Sequence, residues 1–96
     1  EYIAFLVAEK LGFCSFGFYG GGRPVLTGLQ SVRAILTKRS DSGGDWYLFY
    51  QQDGVWYHLI ISGSGARQTG LISVSGGNFS LSGDAALGSG FYAAWR

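Results

Sequence analysis

The chain has 96 residues and a net charge of +1, so it is the size of one domain and gives no electrostatic case for a nucleic-acid partner. Glycine accounts for 17 residues and aromatic side chains for 17% of the chain, whereas only 14% of the residues are charged. Such high glycine and aromatic contents, without a collagen period, indicate an all-β fold with many tight turns rather than a disordered chain.

Two further classes are disfavoured by single features of the sequence. Cys14 is the only cysteine, which excludes an internal disulfide and a zinc site built from several thiolates. The apolar run at residues 3–8 is far shorter than the ~20 residues of a membrane-spanning helix, so membrane insertion is not expected. The chain also begins without Met, which predicts a processed product or a piece of a longer protein.

In chain order, the first two predicted strands are residues 2–8 and residues 13–19, separated by a turn. The second strand alternates large apolar residues with small ones, a period typical of a strand with one buried face. We therefore expect Phe16 and Phe18 to belong to the core, with Cys14 beside them as a small apolar side chain.

The other flanking strands are predicted to be short and separated by polar, glycine-rich loops. Pro24 lacks a backbone donor, so the strand that follows it is expected at a sheet edge. These strands are residues 24–27, 71–74, 79–81 and 91–95.

The centre of the chain, residues 32–61, reads as three antiparallel strands rich in β-branched and aromatic residues. Asp53-Gly54 predicts a two-residue type I′ hairpin, because both residues tolerate positive φ. This turn sets a register in which the facing pairs are Gln52 and Val55, Tyr50 and Tyr57, Leu48 and Leu59, and Trp46 and Ile61.

The register divides the hairpin into two faces. The first face is almost wholly apolar and is expected to point into a core; it carries Trp46, Leu48, Tyr50, Tyr57, Leu59 and Ile61. The second face mixes aromatic and polar side chains, and either a partner surface or cover by another segment of the chain would explain it; it carries Tyr47, Phe49, Gln51, Trp56, His58 and Ile60.

No catalytic constellation is found in the sequence. His58 is the only histidine, it falls in mid-strand, and no Gly-x-Ser-x-Gly nucleophile elbow accompanies it. Asp41 and Asp45 flank one loop, but they are too sparse for a calcium cage and are better explained as turn caps or partners of Arg39. We therefore expect no enzyme, no cofactor and no metal site.

The aromatic residues are the strongest functional signal. Their large flat faces with polar edges suit stacking on sugar rings, and they suit packing between subunits equally well. Together with the low charge fraction, the mixed face of the hairpin predicts an oligomer, most simply a threefold one. The candidate receptor or subunit interface consists of Tyr47, Trp56, Tyr57, His58, Tyr92 and Trp95.

The two ends of the chain resemble each other. Residues 1–6 and residues 90–95 both read as aromatic, apolar and alanine in similar order. Such an echo is typical of one unit cut from a tandem array, and it predicts that residues 2–8 and 91–95 lie at the same end of the sheet system, in one sheet or in equivalent positions of successive repeats.

Several short motifs belong to one recognisable pattern: Tyr2-Ile3-Ala4-Phe5, Gly12-Phe13, Tyr19-Gly20-Gly21-Gly22, Gly28-Leu29, Lys38-Arg39-Ser40-Asp41-Ser42-Gly43-Gly44-Asp45-Trp46 and Ser89-Gly90-Phe91-Tyr92-Ala93-Ala94-Trp95. With them the sequence resembles a β-rich domain of phage tail fibre proteins. It departs from that family at two positions. The family's Thr-Gly-Asn-Gly turn is reduced here to three glycines, and Tyr50 stands where the family often has Asp. The resemblance implies a homotrimeric virion appendage that bears on host recognition, with no catalytic residues.

The sequence as a whole predicts an all-β, antiparallel β-sandwich of eight or nine short strands with glycine-rich turns. Residues 1–96 are expected to form a single domain, one unit of a longer fibre protein. The expected function is a structural and host-receptor-binding module of a phage tail fibre, located on the virion, with a host cell-surface glycan or protein as partner. The alternatives are a free carbohydrate-binding, lectin-like domain and a subunit of an extracellular filament.

Overall fold

The structure is a computed structural model, and it describes residues 13–40, 45–61 and 65–96. This part of the chain is all-β, as predicted, with nine strands and one short 3-10 helix, Gly83–Ala86. The strands are β1 (Cys14–Gly20), β2 (Val25–Leu26), β3 (Ala34–Arg39), β4 (Trp46–Gln52), β5 (Val55–Ile60), β6 (Gln68–Thr69), β7 (Ile72–Ser75), β8 (Asn78–Leu81) and β9 (Ser89–Trp95).

These strands form two antiparallel sheets that pack face to face. The large sheet has six strands in the order β1-β9-β3-β4-β5-β6, and the small sheet has three in the order β2-β8-β7. β2 follows Pro24 and lies at an edge of the small sheet, as predicted. The strands predicted at residues 71–74 and 79–81 correspond to β7 and β8, which pair with each other.

The central hairpin is confirmed in both turn and register. Asp53 has a φ of 53° and Gly54 a φ of 79°, the two positive angles that a type I′ turn needs. Across β4 and β5, Tyr50 faces Tyr57, and the remaining partners follow the predicted register. The turn chemistry alone therefore set the pairing of these two strands.

The core lies between the two sheets, and it reverses the predicted orientation of the hairpin. Tyr47 and Phe49 are buried on the face of the large sheet that meets the small sheet, which we call the inner face. Trp46 and Ile61, expected in a core, are instead exposed on the opposite, outer face. Cover by another segment of the chain, here the small sheet, thus explains the mixed face.

The reversal has a clear physical reason. The inner face can be buried despite its polar side chains, because a buried polar group is tolerated once it has a hydrogen-bonding partner. His58, for example, is buried with its Nδ1 atom 3.2 Å from the carbonyl oxygen of Gly70. The small sheet supplies the apolar cover with Val25, Phe79 and Leu81.

The same reasoning corrects the expectation for β1. Phe16 and Phe18 are exposed, because they occupy outer-face positions, whereas Tyr19 at the end of the strand joins the core. Cys14 is buried, as expected, but it lies on the same side of β1 as Phe16 and Phe18 and does not belong to the core between the sheets.

The last strand lies inside the large sheet rather than at its edge. β9 pairs with β1 on one side and with β3 on the other. The predicted strand at residues 2–8 lies outside the described residues, so the proposed relation of the two chain ends stays a prediction.

Candidate functional site

The structure divides the six predicted interface residues between the two faces of the large sheet. Tyr47, His58 and Tyr92 are buried on the inner face. Trp56 is half-buried on the same face and packs against the core. The outer-face positions hold the other two, Tyr57 and Trp95, both half-buried.

His58 serves the core in this arrangement. Its ring lies 6.1 Å from the Tyr47 ring and 5.8 Å from the Phe49 ring, measured between centroids. Because a carbonyl oxygen can only accept, the contact with Gly70 places the proton on Nδ1. The histidine therefore packs between aromatic rings and ties β5 to the chain that leads into β7.

The outer face of the hairpin carries a small aromatic cluster. The rings of Tyr50 and Tyr57 lie 5.8 Å apart between centroids. The Arg67 guanidinium stacks 3.9 Å from the centroid of the Tyr57 ring, and it also donates a hydrogen bond to the Gln52 side chain. This cation–π contact covers part of the Tyr57 ring.

Aromatic residues continue across the outer face to β1 and β9. Phe18 and Phe91 face each other in the register of these strands, with ring centroids 5.2 Å apart. Next to them a groove of about 340 Å³ runs along the sheet; it is lined by Leu36, Lys38, Trp46, Phe91, Tyr92 and Ala93. The outer face is therefore an apolar surface with a groove.

Besides Arg67, charge on this surface is confined to one strand residue. Among the strand residues that the structure describes, Lys38 is the one charged side chain at an outer-face position. Its Nζ atom donates a hydrogen bond to the carbonyl oxygen of Arg39. Sequence reasoning missed this surface because Phe16, Phe18 and Phe91 follow the same alternating pattern that buried strands show.

A second candidate site is a polar cavity of about 190 Å³ at the opposite side of the large sheet. It is lined by Tyr19, Arg39, Asp45, Tyr47, Asp84, Ala85 and Leu87. Strands β1, β3 and β4 contribute from the inner face, and the short helix Gly83–Ala86 closes the other wall. No local sequence signal predicts this cavity, because its residues come from distant parts of the chain.

The backbone around the polar cavity holds Arg39 in place. Ser40 donates both its amide and its hydroxyl to the carbonyl oxygen of Ser89, at 2.9 and 3.1 Å. Gly90 allows β3 and β9 to approach closely, since a Cβ atom there would lie 2.1 Å from the carbonyl oxygen of Lys38. The Arg39 stem passes close to Gly88, whose Cβ would lie 3.3 Å from the arginine Cδ.

The tyrosine that lines the cavity, Tyr47, has a raised pKa. Burial raises the pKa of the Tyr47 phenol above its ordinary value, and the carboxylates of Asp84 and Asp45 raise it further. Arg39 acts in the opposite direction. The phenol therefore stays neutral to a higher pH than an ordinary tyrosine, and the neutral form can both donate and accept a hydrogen bond.

Neither a metal-binding cluster nor a membrane-spanning helix is found in the described part of the chain. Within residues 13–40, 45–61 and 65–96, no group of three or more His, Cys, Asp or Glu side chains is arranged to hold a metal ion. None of the helical segments in these ranges is long and apolar enough to cross a membrane.

The fold and the two surfaces define a small all-β domain of two antiparallel sheets. Comparisons with models of known families, with curated proteins and with solved structures found no match for this chain.

Proposed function

We propose that this chain is a non-enzymatic structural and attachment module of a virion appendage of the tail-fibre type. Its outer face packs against copies of the same chain, and the assembled module takes part in host recognition. The motif pattern around Lys38, Arg39 and Trp46 supports the tail-fibre class. The proposed assembly rests on the exposed apolar side chains of the outer face of the large sheet.

The case for self-association rests on the composition of that face. Phe18 is 76% exposed, and Phe16, Trp46 and Phe91 also expose a large part of their side chains. A continuous apolar patch on a small domain marks an interaction surface, because leaving it in water costs free energy and invites aggregation.

A second copy of the chain is the occupant that we propose. The two cations on this face, Lys38 and Arg67, are each engaged within the chain, by the Arg39 carbonyl oxygen and by the Tyr57 ring, and the remaining apolar surface is complementary to another apolar face. A fibre built on a threefold axis would let each copy bury this face against its neighbours. The threefold number itself comes from the resemblance to tail-fibre domains.

Light scattering on the purified chain tests the proposal through its mass in solution. We expect a mass of three chains, and we expect Phe18→Lys to shift it towards one chain by placing a charge in the apolar interface. Ser73→Lys is the control: Ser73 is also exposed, but it lies in β7 of the small sheet and shares no groove with Phe18. The control should keep the mass of the unmodified chain.

Three results would contradict the proposal. A monodisperse monomer at high concentration would rule out the proposed assembly. A monomer or dimer that binds sugar would favour the lectin-like alternative. Equal effects of both lysine substitutions would show that added charge, rather than the outer face, controls the mass.

A further inference from the structure

We infer that a groove between β1 of the large sheet and β2 of the small sheet binds an extended segment of a partner protein, in which an apolar side chain and a carboxylate stand two residues apart. This β1–β2 groove has a volume of about 420 Å³, and the residues that matter in it are Phe18, Gly20, Arg23, Pro24, Leu26 and Tyr92. The inference goes beyond the proposed self-association and does not rest on it, because Arg23 and Leu26 lie outside the outer face.

The walls of the β1–β2 groove are apolar and open to solvent. Phe18 and Leu26 line it and are 76% and 74% exposed, the two largest exposed fractions among the large hydrophobic side chains of the described residues. Pro24 adds a third apolar side chain to the lining. Because covering such side chains removes apolar surface from water, the walls favour an apolar group of a ligand.

A cation lies in the same groove. Arg23 is exposed, and no carboxylate is found to pair with it in the part of the chain that the structure describes. Its backbone amide donates to the carbonyl oxygen of Gly20 at 3.2 Å, and its guanidinium lies over Gly20, where an added Cβ atom would be 3.3 Å from Nη2. The turn thus holds the guanidinium at the groove without neutralising it, and a carboxylate complements both its charge and its forked donors.

The floor of the groove offers a hydroxyl group. Tyr92 is only 7% exposed and lines the groove, and its Oη atom would lie 3.3 Å from a Cβ atom added at Gly17 of β1. No hydrogen bond from this hydroxyl to another described residue is found. Since every fully buried polar side-chain atom of the described residues has a partner, the hydroxyl reaches solvent. It can therefore donate to a peptide carbonyl or accept from a peptide amide.

An extended peptide satisfies these three features together. Alternate side chains of an extended chain point the same way, about 6.6–6.8 Å apart, so an apolar residue and a carboxylate two positions on can reach the walls and Arg23 from one side. The volume falls within the roughly 300–1,000 Å³ of ligand clefts, which suits a few side chains rather than a folded domain. A neutral sugar would leave Arg23 without a counter-charge, and an inorganic anion would leave Phe18 and Leu26 uncovered.

Amide NMR titration of the 15N-labelled chain with end-blocked peptides tests the inference. We expect Gly-Leu-Ser-Glu-Gly to give saturating shifts at Gly20 and Leu26. It should bind about tenfold more tightly than Gly-Leu-Ser-Gln-Gly, because its carboxylate makes a charge-assisted hydrogen bond with the guanidinium. A third peptide, Gly-Ser-Ser-Glu-Gly, lacks the apolar side chain and should bind at least about tenfold more weakly than the first.

Arg23→Gln completes a double-mutant cycle with the glutamate and glutamine peptides. It should weaken binding of the glutamate peptide about tenfold and leave that of the glutamine peptide unchanged, because only the charged pair is lost. Arg33→Gln is the matched control: Arg33 is also exposed and the variant removes the same charge, but the residue lies outside the groove. Tyr92→Phe keeps the ring against Phe79 and removes only the hydroxyl, so it should weaken both peptides about threefold to tenfold. Thermal unfolding establishes that each variant is folded.

Three outcomes would overturn the inference: no shifts at the groove with the glutamate peptide, equal affinities for the glutamate and glutamine peptides, or equal losses in Arg23→Gln and Arg33→Gln. If the groove shifts with N-acetylneuraminic acid but with none of the peptides, its ligand is an acidic sugar and the inference is also wrong. A trimer that binds no peptide would remove only the β1–β2 groove site, whereas a monomer that binds the glutamate peptide would remove only the proposed assembly.

Discussion

Phe79 in β8 and Tyr92 in β9 meet edge to face, with their ring centroids 5.3 Å apart and their planes at 78°. Because β8 belongs to the small sheet and β9 to the large one, this contact joins the two sheets across the core. An aromatic pair in this geometry contributes about 0.5–1.5 kcal/mol beyond the burial of its surface.

Replacing Phe79 by alanine should therefore destabilise the domain strongly. We expect Phe79→Ala to lower the free energy of unfolding by about 3–5 kcal/mol, since it leaves a cavity between the sheets. Leu26→Ala, in the same small sheet but exposed, should change it by less than about 0.5 kcal/mol. Urea unfolding compares the two, and similar losses in both variants would argue against a core between the sheets.

The type I′ turn gives a second prediction. Gly54 has a φ of 79°, and a Cβ atom added there would have no other atom within 4 Å, so a larger side chain suffers from backbone strain and not from a clash. Gly54→Val should destabilise by about 1–3 kcal/mol. Gly65→Val also points into open space but carries no positive φ of this kind, and it is the matched control. Thermal unfolding measures both variants. If Gly65→Val lowers the stability as much as Gly54→Val does, strain in the turn is not the cause of the loss.

Thr27 links the loop after β2 to the turn between β7 and β8. Its hydroxyl donates to the carbonyl oxygen of Gly77 and accepts from the amide of Leu29 at 3.1 Å. Thr27→Val keeps the shape but leaves both groups without this partner, so we expect a loss of about 1–3 kcal/mol. The exposed Thr69 provides the control, because Thr69→Val should cost far less in the same urea experiment. A neutral Thr27→Val would mean that water replaces the hydroxyl at no cost.

The raised pKa of Tyr47 predicts a loss of stability at alkaline pH. The unfolded phenol titrates near its ordinary value of about 10, and the folded phenol titrates higher because of burial and the nearby carboxylates. The contribution of Tyr47 is thus fully present below about pH 10 and is lost as the pH rises through the folded pKa. Unfolding free energies measured across this range should fall more steeply for the unmodified chain than for Tyr47→Phe.

Asp84→Asn provides the companion test of the Tyr47 prediction. Removing this carboxylate should lower the pKa of Tyr47 towards its ordinary value, which an ultraviolet titration of the phenols detects as a difference from the unmodified chain. Identical titration curves would show that Asp84 does not act on Tyr47.

Much of the secondary structure follows from short stretches of sequence. Asp53 and Gly54 specify the turn, the turn specifies which residues of β4 and β5 face each other, and Pro24 correctly predicted that the strand after it lies at an edge. These are local effects: each depends on the backbone preferences of a few adjacent residues, so no knowledge of the rest of the chain is needed.

The choice of the buried face could not be made in this way. Both faces of the central hairpin carry large apolar side chains, so alternation tells which residues share a face but not which face is covered. The small sheet decides it, because Phe79 and its neighbours pack on the side of Phe49 and leave Trp46 exposed.

The sequence by itself determined the class of fold, the hairpin register and the richness in aromatic side chains from which a surface could be built. Only the tertiary structure decided that Phe18 and Phe91 are exposed together on the outer face, and that Tyr19, Arg39 and Asp84 line one cavity. The physical reason is distance along the chain: turns depend on neighbouring residues, whereas a face and a cavity depend on which strands meet after the chain has folded.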